Sequence, residues 1–516
     1  MAAVRPRVEP LLAVGGILAS SVAVLAGGRA NTATTVPPTK WFGLLSPVGY
    51  RPGGPWVFGL ILFLGIAALV VAWLLAIRLT DRGALTERQL WRIAGCWSFP
   101  FVVGPPLISK DVYSYAAQGL MLRHGLDVYS SGVAVLGRVA STDAVRAVAA
   151  VDPSWRETPS PYGPLASAIE RVSVEISGGN PVGAVIVLRA FAVLSVIASA
   201  RLAASLADPN RTGGLLLVAL NPLVLVQAVS AAHFEAVLCA LLLASLTAAK
   251  RGRWGLAIVL VCAAAAVKAP AFVALPAFVT VHAISERRRG SGRGLVSRTV
   301  AIDLAVSAVS FGALSLLVPN GLGWLHNLTT PGQSRTSSAL SADVGALLRS
   351  IFPSSLSSQV TTAALAAGLA VAGCLVLSLT ATAMRRPLEV TVGYSLLAVA
   401  LLAPVIYPWY VLWGAVCLLP TAPAVRRNRL VALCGFASVA AITGAPTAAT
   451  ATFNLLTLGV AGYLLLRRPS TGRGAGDNVR VDVSRQAGLG SDGQRSADRR
   501  ITRTLPDQGQ DNTMTP

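Results

Sequence analysis

Apolar runs recur along the chain, at about 10–28, 55–78, 90–108, 182–205, 213–229, 234–249, 254–268, 270–284, 299–318, 361–381, 388–405, 409–421, 429–444 and 450–466. Stretches this apolar read as membrane helices, because in lipid every backbone group must be satisfied within its own segment. The pattern predicts an all-α fold, a polytopic transmembrane helical bundle of about 13–14 spans. Several runs fall short of the ~20 residues a full crossing needs. Those near 254–284 and 405–421 therefore read as re-entrant or broken. The first run follows the basic "MAAVRPRV" and precedes the small residues of "GGRANTA". It reads as an uncleaved signal-anchor, with a cleaved signal peptide as the alternative.

The polar segments between the runs alternate in kind. With the N-terminus in the cytoplasm, "RLTDRGALTERQLWR", "DPNRTGG", "KRGR", "ERRRGSGRGLVSR", "MRRP" and "VRRNR" all fall inside, and each carries Arg. The opposite side receives residues 28–54, two external loops at 109–181 and 319–360, and the turns "SAAHFEA" and "PVIYPWY". Inside 109–181, Val112, Tyr115, Ala116, Leu122 and Leu126 share one helical face, opposite Asp111, Ser114 and Gln118. In "PLASAIERVSVEIS", Leu165, Ile169, Val172 and Ile176 form a stripe, with Glu170, Arg171 and Ser173 facing away. Both segments read as amphipathic helices on the outer membrane surface. From about Ser470 the chain is polar and Gly-rich. The organisation is thus one membrane domain, 1–467, and a disordered cytoplasmic tail, 468–516.

Composition narrows the function classes. The chain is 54% hydrophobic and 13% charged, against about a quarter charged in soluble domains, and its mean hydropathy is +0.64. The net charge of +21 suggests either nucleic-acid binding or membrane topology. The basic residues sit in short clusters between apolar runs, and no soluble module is left to read bases, so topology is the reading. Cys96, Cys239, Cys262, Cys374, Cys417 and Cys434 lie in or beside apolar runs, without CxxC spacing or clustered His. They read as core residues, and no metal ligand set is assigned. P-loop, HExxH and GxSxG patterns are missing from the sequence, and no GxGxxG enters a helix.

The candidate chemistry gathers on the external side. Ionisable groups near membrane depth are costly and usually have a task. Asp111, at the exit of the third span, is either a general base or a helix N-cap, and the two are compatible. His233 and Glu235 in "SAAHFEA" bind an acceptor or relay a proton, or else form an interfacial polar turn. Lys268 lies alone between two apolar runs, where it snorkels outward or meets a lipid phosphate. "YPWYVLW" supplies Tyr407, Trp409, Tyr410 and Trp413, an interfacial aromatic belt or a sugar-stacking edge. Asp127, Asp152, Trp324 and His326 lie on the same side, and "NLT" at Asn327 is a weak glycosylation pattern.

Together "SKDVYSYAAQG", "SPYGPL", "HFEAVLCALLLASL", "KAPAF" and "YPWYVLW" resemble the actinobacterial polyprenol-phosphomannose-dependent α-1,6-mannosyltransferases, over about residues 90–420. The resemblance implies a GT-C fold and transfer of mannose from a polyprenyl-phosphate-mannose donor, on the outer face of the plasma membrane. The acceptor is a growing α-1,6-mannan, the backbone of lipomannan and lipoarabinomannan. It implies Asp111 as the catalytic base of an inverting transfer. Lys268, Arg123 and Arg156 become candidates for the donor phosphate. Tyr113, Gln118, Tyr162, His233, Glu235, Tyr407 and Trp409 become candidates for acceptor or sugar. No cofactor is called for, and a divalent cation is left open. One departure stands out: where the family suggests His-Asn-Asp, this chain has His233-Phe234-Glu235. The alternatives are a flippase or exporter of lipid-linked glycans, and an assembly subunit without activity.

Overall fold

A computed structural model describes residues 8–30, 55–290, 292–328, 340–352 and 354–440. The expected last span at 450–466, the tail 468–516 and parts of the two external stretches 28–54 and 319–360 lie outside the described residues. The helices are α1 (Val8–Ala30), α2 (Pro55–Asp81), α3 (Glu87–Val103), α4 (Asp111–Arg123), α5 (Thr142–Ala150), α6 (Pro164–Ile176), α7 (Pro181–Leu206), α8 (Arg211–Ala219), α9 (Glu235–Lys250), α10 (Trp254–Val267), α11 (Leu275–Arg288), α12 (Arg293–Ser315), α13 (Leu340–Arg349), α14 (Ser357–Ala381), α15 (Leu388–Leu402), α16 (Val411–Leu418) and α17 (Ala424–Ala440). Among the described residues the fold is all-α, and the chain is a multi-pass membrane protein.

Among the described residues six helices are long and apolar enough to cross a membrane, or seven if the bent pair Arg211–Ala219 and Val224–Ser230 is one span. The other expected spans that lie within the described residues fall on shorter helices such as α9, with 16 residues, and α15, with 15. Their breaks follow from sequence. Pro222 interrupts the run after α8, and the chain resumes as a π-helix, Val224–Ser230, bent by 61°. Proline lacks the N–H that the next turn needs. Pro270 likewise follows the end of α10 and leaves Lys268 extended, at φ −153° and ψ 130°. The expected break within 254–284 is therefore present, and a further one divides 213–229.

Polar contacts separate the loops into two sets. Glu9 pairs with Arg92 at 3.1 Å, Glu87 with Arg211 at 3.5 Å and Asp81 with Arg427 at 2.7 Å. Every one of these residues belongs to a segment assigned to the Arg-rich side. The segments assigned to the opposite side contact one another. Asn320 donates to Asp127 at 3.0 Å, and Asn327 donates to the carbonyls of Tyr129 and Ser160 at 2.9 and 3.1 Å.

The helix at Asp111 corrects one expectation. It does not lie on a surface with a polar face outward. Val112, Tyr113, Tyr115, Ala116, Gln118, Leu120, Met121 and Leu122 are all buried, against α6 and α7. Its polar side chains are few and small enough to be enclosed, so α4 is walled on nearly every side. The second helix, α6, is amphipathic as expected. Val172 and Ile176 are exposed, while Ser167, Glu170 and Ser173 turn inward toward α4. The close approach depends on Gly119, where any Cβ would collide with the backbone of Glu170.

Candidate active site

Five segments far apart in sequence converge at one end of the bundle. After α3 the chain passes Gly104-Pro105-Pro106 and reaches Asp111, the first residue of α4. Lys110 occupies the N-cap position without a side-chain cap. Ser109 Oγ instead accepts the Asp111 N–H at 3.1 Å. Asp111 is therefore not the N-cap. Its carboxylate sits in the first turn, where the helix dipole favours negative charge, and its side chain is 31% exposed. The second acid, Glu235, also begins a helix, α9, and is fully buried. Between the two carboxylates lies His233, also fully buried. Its Nδ1 is 3.7 Å from Asp111 Oδ2 and 3.8 Å from Glu235 Oε2. Those separations are too long for hydrogen bonds, and both imidazole nitrogens and Glu235 Oε2 lack a hydrogen-bond partner.

The other oxygen of Glu235 is closely held. Lys268 Nζ donates to Glu235 Oε1 at 2.6 Å, and Trp413 Nε1 donates to the same atom at 3.3 Å. Lys268 is thus not a lone cation between two apolar runs: Glu235, 33 residues earlier in sequence, neutralises it. Rings surround its ammonium, with the centroids of Tyr410, Tyr162 and Trp413 at 4.6, 5.4 and 5.4 Å. Such placement adds cation–π attraction to the ion pair. Tyr162 is brought there by "SPYGPL". Gly163 N donates to Val267 O at 3.1 Å, and a Cβ at Gly163 would collide with the backbone of Ala266. "YPWYVLW" closes the other flank. Tyr407 stacks on Trp409 at 4.6 Å, and Trp409 packs on His233 at 4.3 Å.

Phe234 has a packing role. It lies 4.5 Å from Tyr115 and 5.7 Å from Tyr162, whose hydroxyls bond each other at 2.9 Å. An Asn at this position would put an amide against two aromatic rings. Tyr113 is buried, and Gln118 is buried and accepts from Ser160 Oγ at 3.1 Å, so both stand behind the cluster. Asp127 accepts from Tyr129 N and Asn320, which fixes a loop. Arg123 sits 12 residues after Asp111, about 18 Å along the helix, and pairs with Glu175 at 2.9 Å. The Arg156 guanidinium donates to the carbonyls of Val151 and Ala149. Neither arginine joins the Lys268 cluster. The indole of Trp324 is buried near Phe272 and Phe311. The Asn327 amide is committed to backbone carbonyls.

Two cations were missed by sequence reasoning. Lys110, next to Asp111, lies 4.0 Å from Asp152. Partial burial raises the Asp152 carboxyl, but hydrogen bonds from Ser154 and the charges of Lys110 and Arg156 hold it below its ordinary range. Arg189 is the other. It interrupts the apolar run of α7, a signal that was present in the sequence, and its partners are described below. Among the described residues no group of three or more His, Cys, Asp or Glu is placed to hold a metal ion.

The fold and site together define a multi-pass membrane protein whose polar chemistry is concentrated at one end of the bundle, around a reachable carboxylate. The profile of the alpha-(1->6)-mannopyranosyltransferase N-terminal domain matches residues 13–284, and that of the MptB C-terminal domain matches residues 337–466. The chain belongs to the alpha-(1->6)-mannopyranosyltransferase family. Among its relatives, alpha-(1->6)-mannopyranosyltransferase A of Mycobacterium tuberculosis is 31% identical over 392 residues, covering 73% of this chain and 74% of the relative. Alpha-(1->6)-mannopyranosyltransferase B of Corynebacterium glutamicum is 28% identical over 393 residues, covering 69% and 64%. No solved structure matches. Family membership makes the protein a glycosyltransferase of mannose, which decides against the flippase and assembly-subunit alternatives.

Proposed function

We propose that the protein transfers mannose from polyprenyl-phosphate-mannose to a growing α-1,6-mannan on the outer face of the plasma membrane, with inversion and with Asp111 as base. The observation that carries this reading is a difference in access. Of the two acids in the cluster, Glu235 is fully buried and paired, whereas the Asp111 carboxylate is 31% exposed. Only Asp111 of this pair is open to an acceptor hydroxyl.

In the transfer, Asp111 accepts the proton of the acceptor hydroxyl as its oxygen attacks the anomeric carbon. The bond from that carbon to the phosphate oxygen breaks on the opposite face, and polyprenyl phosphate leaves with the electron pair. A β-linked donor thereby gives an α product, without a covalent enzyme intermediate. Lys268 stabilises charge growing on the phosphate, drawing its ammonium partly from Glu235. Lys110, adjacent to the base, is a second cation at the same end. Tyr407, half-buried, offers a ring face for sugar, with Trp409 and then His233 packed behind it. The growing mannan would be the backbone of lipomannan and lipoarabinomannan. Residues 1–467 would form this membrane domain and 468–516 a cytoplasmic tail, with both termini inside by the Arg bias of the loops.

The test uses membranes carrying the full chain, radiolabelled polyprenyl-phosphate-mannose and a synthetic α-1,6-dimannoside. The expected result is a labelled trisaccharide sensitive to α-mannosidase. Labelled donor with no product, in membranes where the protein is present, contradicts the donor or acceptor assignment. For orientation, a Cys at Ser130 in a cysteine-free background is expected to react with an impermeant thiol reagent in intact cells. Labelling only after permeabilisation would place the site inside.

A further inference from the structure

Arg189 lies eight residues into α7, a helix long and apolar enough to span the membrane. It is only 3% exposed. An arginine buried there is costly unless its N–H donors are met. Its terminal nitrogens donate to backbone carbonyls on two other segments. One terminal nitrogen donates to Val102 O at 2.9 Å and Gly104 O at 2.7 Å, at the end of α3. The other donates to Ser230 O at 2.8 Å, the last residue of the π-helix. These carbonyls lie at helix ends, where the chain has no intrahelical donor to offer them. One planar fork therefore ties two helix ends together, which the point charge of a lysine cannot reproduce.

The two tied ends lead into the two halves of the site. From Gly104 the chain runs seven residues to Asp111, and from Ser230 it runs three residues to His233. A second link joins them, with Leu107 N donating to Ser230 Oγ at 3.3 Å. Each connecting piece holds a non-glycine residue in the left-handed region, Ile108 at φ 69° and Ala232 at φ 53°. Such a backbone persists only where its surroundings over-determine it, and for a β-branched residue it is an outlier. The strained residues lie between the Arg189 fork and the Asp111 and His233 side chains. The π-helix that ends at Ser230, Arg189's partner, is itself a device that recurs at functional sites.

We propose that Arg189 is a positioning residue: it locks the Asp111 turn and the His233 turn against each other, so that the carboxylate and the imidazole meet at one point. It touches neither donor nor acceptor. The proposal rests on the reading of Asp111 as the base, and the test separates the two.

Full-length protein in lipid nanodiscs is compared as wild type, Arg189→Lys, Asp111→Asn and the double variant. Donor kinetics and hydrogen–deuterium exchange are read on each. Arg189→Lys keeps the charge and folds with a cation in place, but loses the fork. The expected result is faster exchange in both 104–111 and 230–234. With it, kcat falls by about tenfold or more, the scale on which small misplacements act, while the donor KM stays within about threefold. In the Asp111→Asn background, Arg189→Lys is expected to lower residual turnover no further, because no base remains to be placed. Arg189→Met tests the same point where it folds, and where it does not, Arg189→Lys decides. Wild-type kcat in Arg189→Lys overturns the proposal, as does a loss that multiplies in full with that of Asp111→Asn. Faster exchange in only one of the two turns also overturns it. If Asp111→Asn itself retains turnover, the base assignment fails, and paired exchange in the two turns still decides whether the fork exists.

Discussion

Two buried polar contacts among the described residues differ in what surrounds them. In one, Lys268 meets Glu235 at 2.6 Å; in the other, His282 of α11 meets Asp303 of α12 at 2.8 Å. Both place a carboxylate that is almost wholly buried against a nitrogen. The second pair closes on itself. Trp254 stacks on His282 at 4.9 Å, and the pair ties α12, most of which faces outward, to its neighbour. Between membrane helices, with no hydrophobic drive to associate, such a polar link is an adhesive. The first pair is left open. Glu235 keeps an unpartnered oxygen, His233 keeps two unpartnered nitrogens, and the reachable Asp111 lies 3.7 Å beyond. Burial and pairing alone therefore do not mark a functional site. Unspent hydrogen-bonding capacity that leads to an accessible group does.

Substitutions can sharpen that contrast. The largest effect is expected from His233→Ala, which removes the imidazole between two carboxylates. Turnover is expected to fall about a hundredfold, the scale for losing one electrostatic element of a site, with the amount of folded protein kept. Near-normal turnover would reduce His233 to packing. Next comes Lys268→Gln, which strands a buried carboxylate. Loss of one partner of a buried pair costs about 3–5 kcal/mol, so folded yield and melting temperature should both drop. Lys268→Gln/Glu235→Gln removes both charges and is expected to regain most of that stability without regaining turnover, with a raised donor KM. Recovery of activity in the double variant would make the pair structural, like its counterpart.

Asp303→Asn is the matching probe of the closed pair. A stability loss of about 1–3 kcal/mol is expected, the range for a buried hydrogen-bonded group losing its partner. Turnover per folded molecule is expected to stay within about twofold. A selective fall in kcat would break the contrast between the pairs.

The smallest effect concerns α6, outside the spanning helices. Burial pushes the Glu170 carboxyl well above its ordinary range, and the nearby Ser167 hydroxyl offsets only part of this. Folded protein therefore holds a proton that the unfolded chain releases near pH ~4.3. Stability tied to this group is greatest below that pH and declines as pH rises toward the folded value. Glu170→Gln, which does not titrate, is expected to gain on wild type in melting temperature as pH rises from about 4 to 8. A constant gap across that range would mean that Glu170 is ionised in the fold.

Much of this organisation is legible in the sequence. The apolar runs predict nearly every long helix, and the Arg-bearing loops sort into the set whose members contact one another. The stretches at Asp111, Tyr162, His233, Lys268 and Tyr407 all reach the cluster. The arrangement within it is less legible. Lys268 reads as unpaired because its partner is 33 residues away and meets it only after a Pro-broken helix turns back. Phe234 reads as a departure because its ring partners, Tyr115 and Tyr162, come from two other segments. The enclosure of α4 is hidden because Asp111, Ser114 and Gln118 fall on one projected face and read as a solvent side, whereas Gln118 meets Ser160 of another segment. Arg189 differs, since a lone arginine within an apolar span is itself a signal. Its role depends on which carbonyls it reaches, and spacing does not reveal those.

The central chemical step of the proposed transfer is the passage of the acceptor's proton to Asp111. The direct measurement is single-turnover transfer by purified, full-length Asp111→Asn and wild type, with saturating polyprenyl-phosphate-mannose and α-1,6-dimannoside, alongside donor binding to each. Asp111→Asn removes a charge and a proton acceptor while keeping shape. Donor binding is expected to stay within about threefold of wild type, with a transfer rate lower by about two orders of magnitude or more. Transfer at close to the wild-type rate by the folded, donor-bound variant would contradict the role of Asp111 as base.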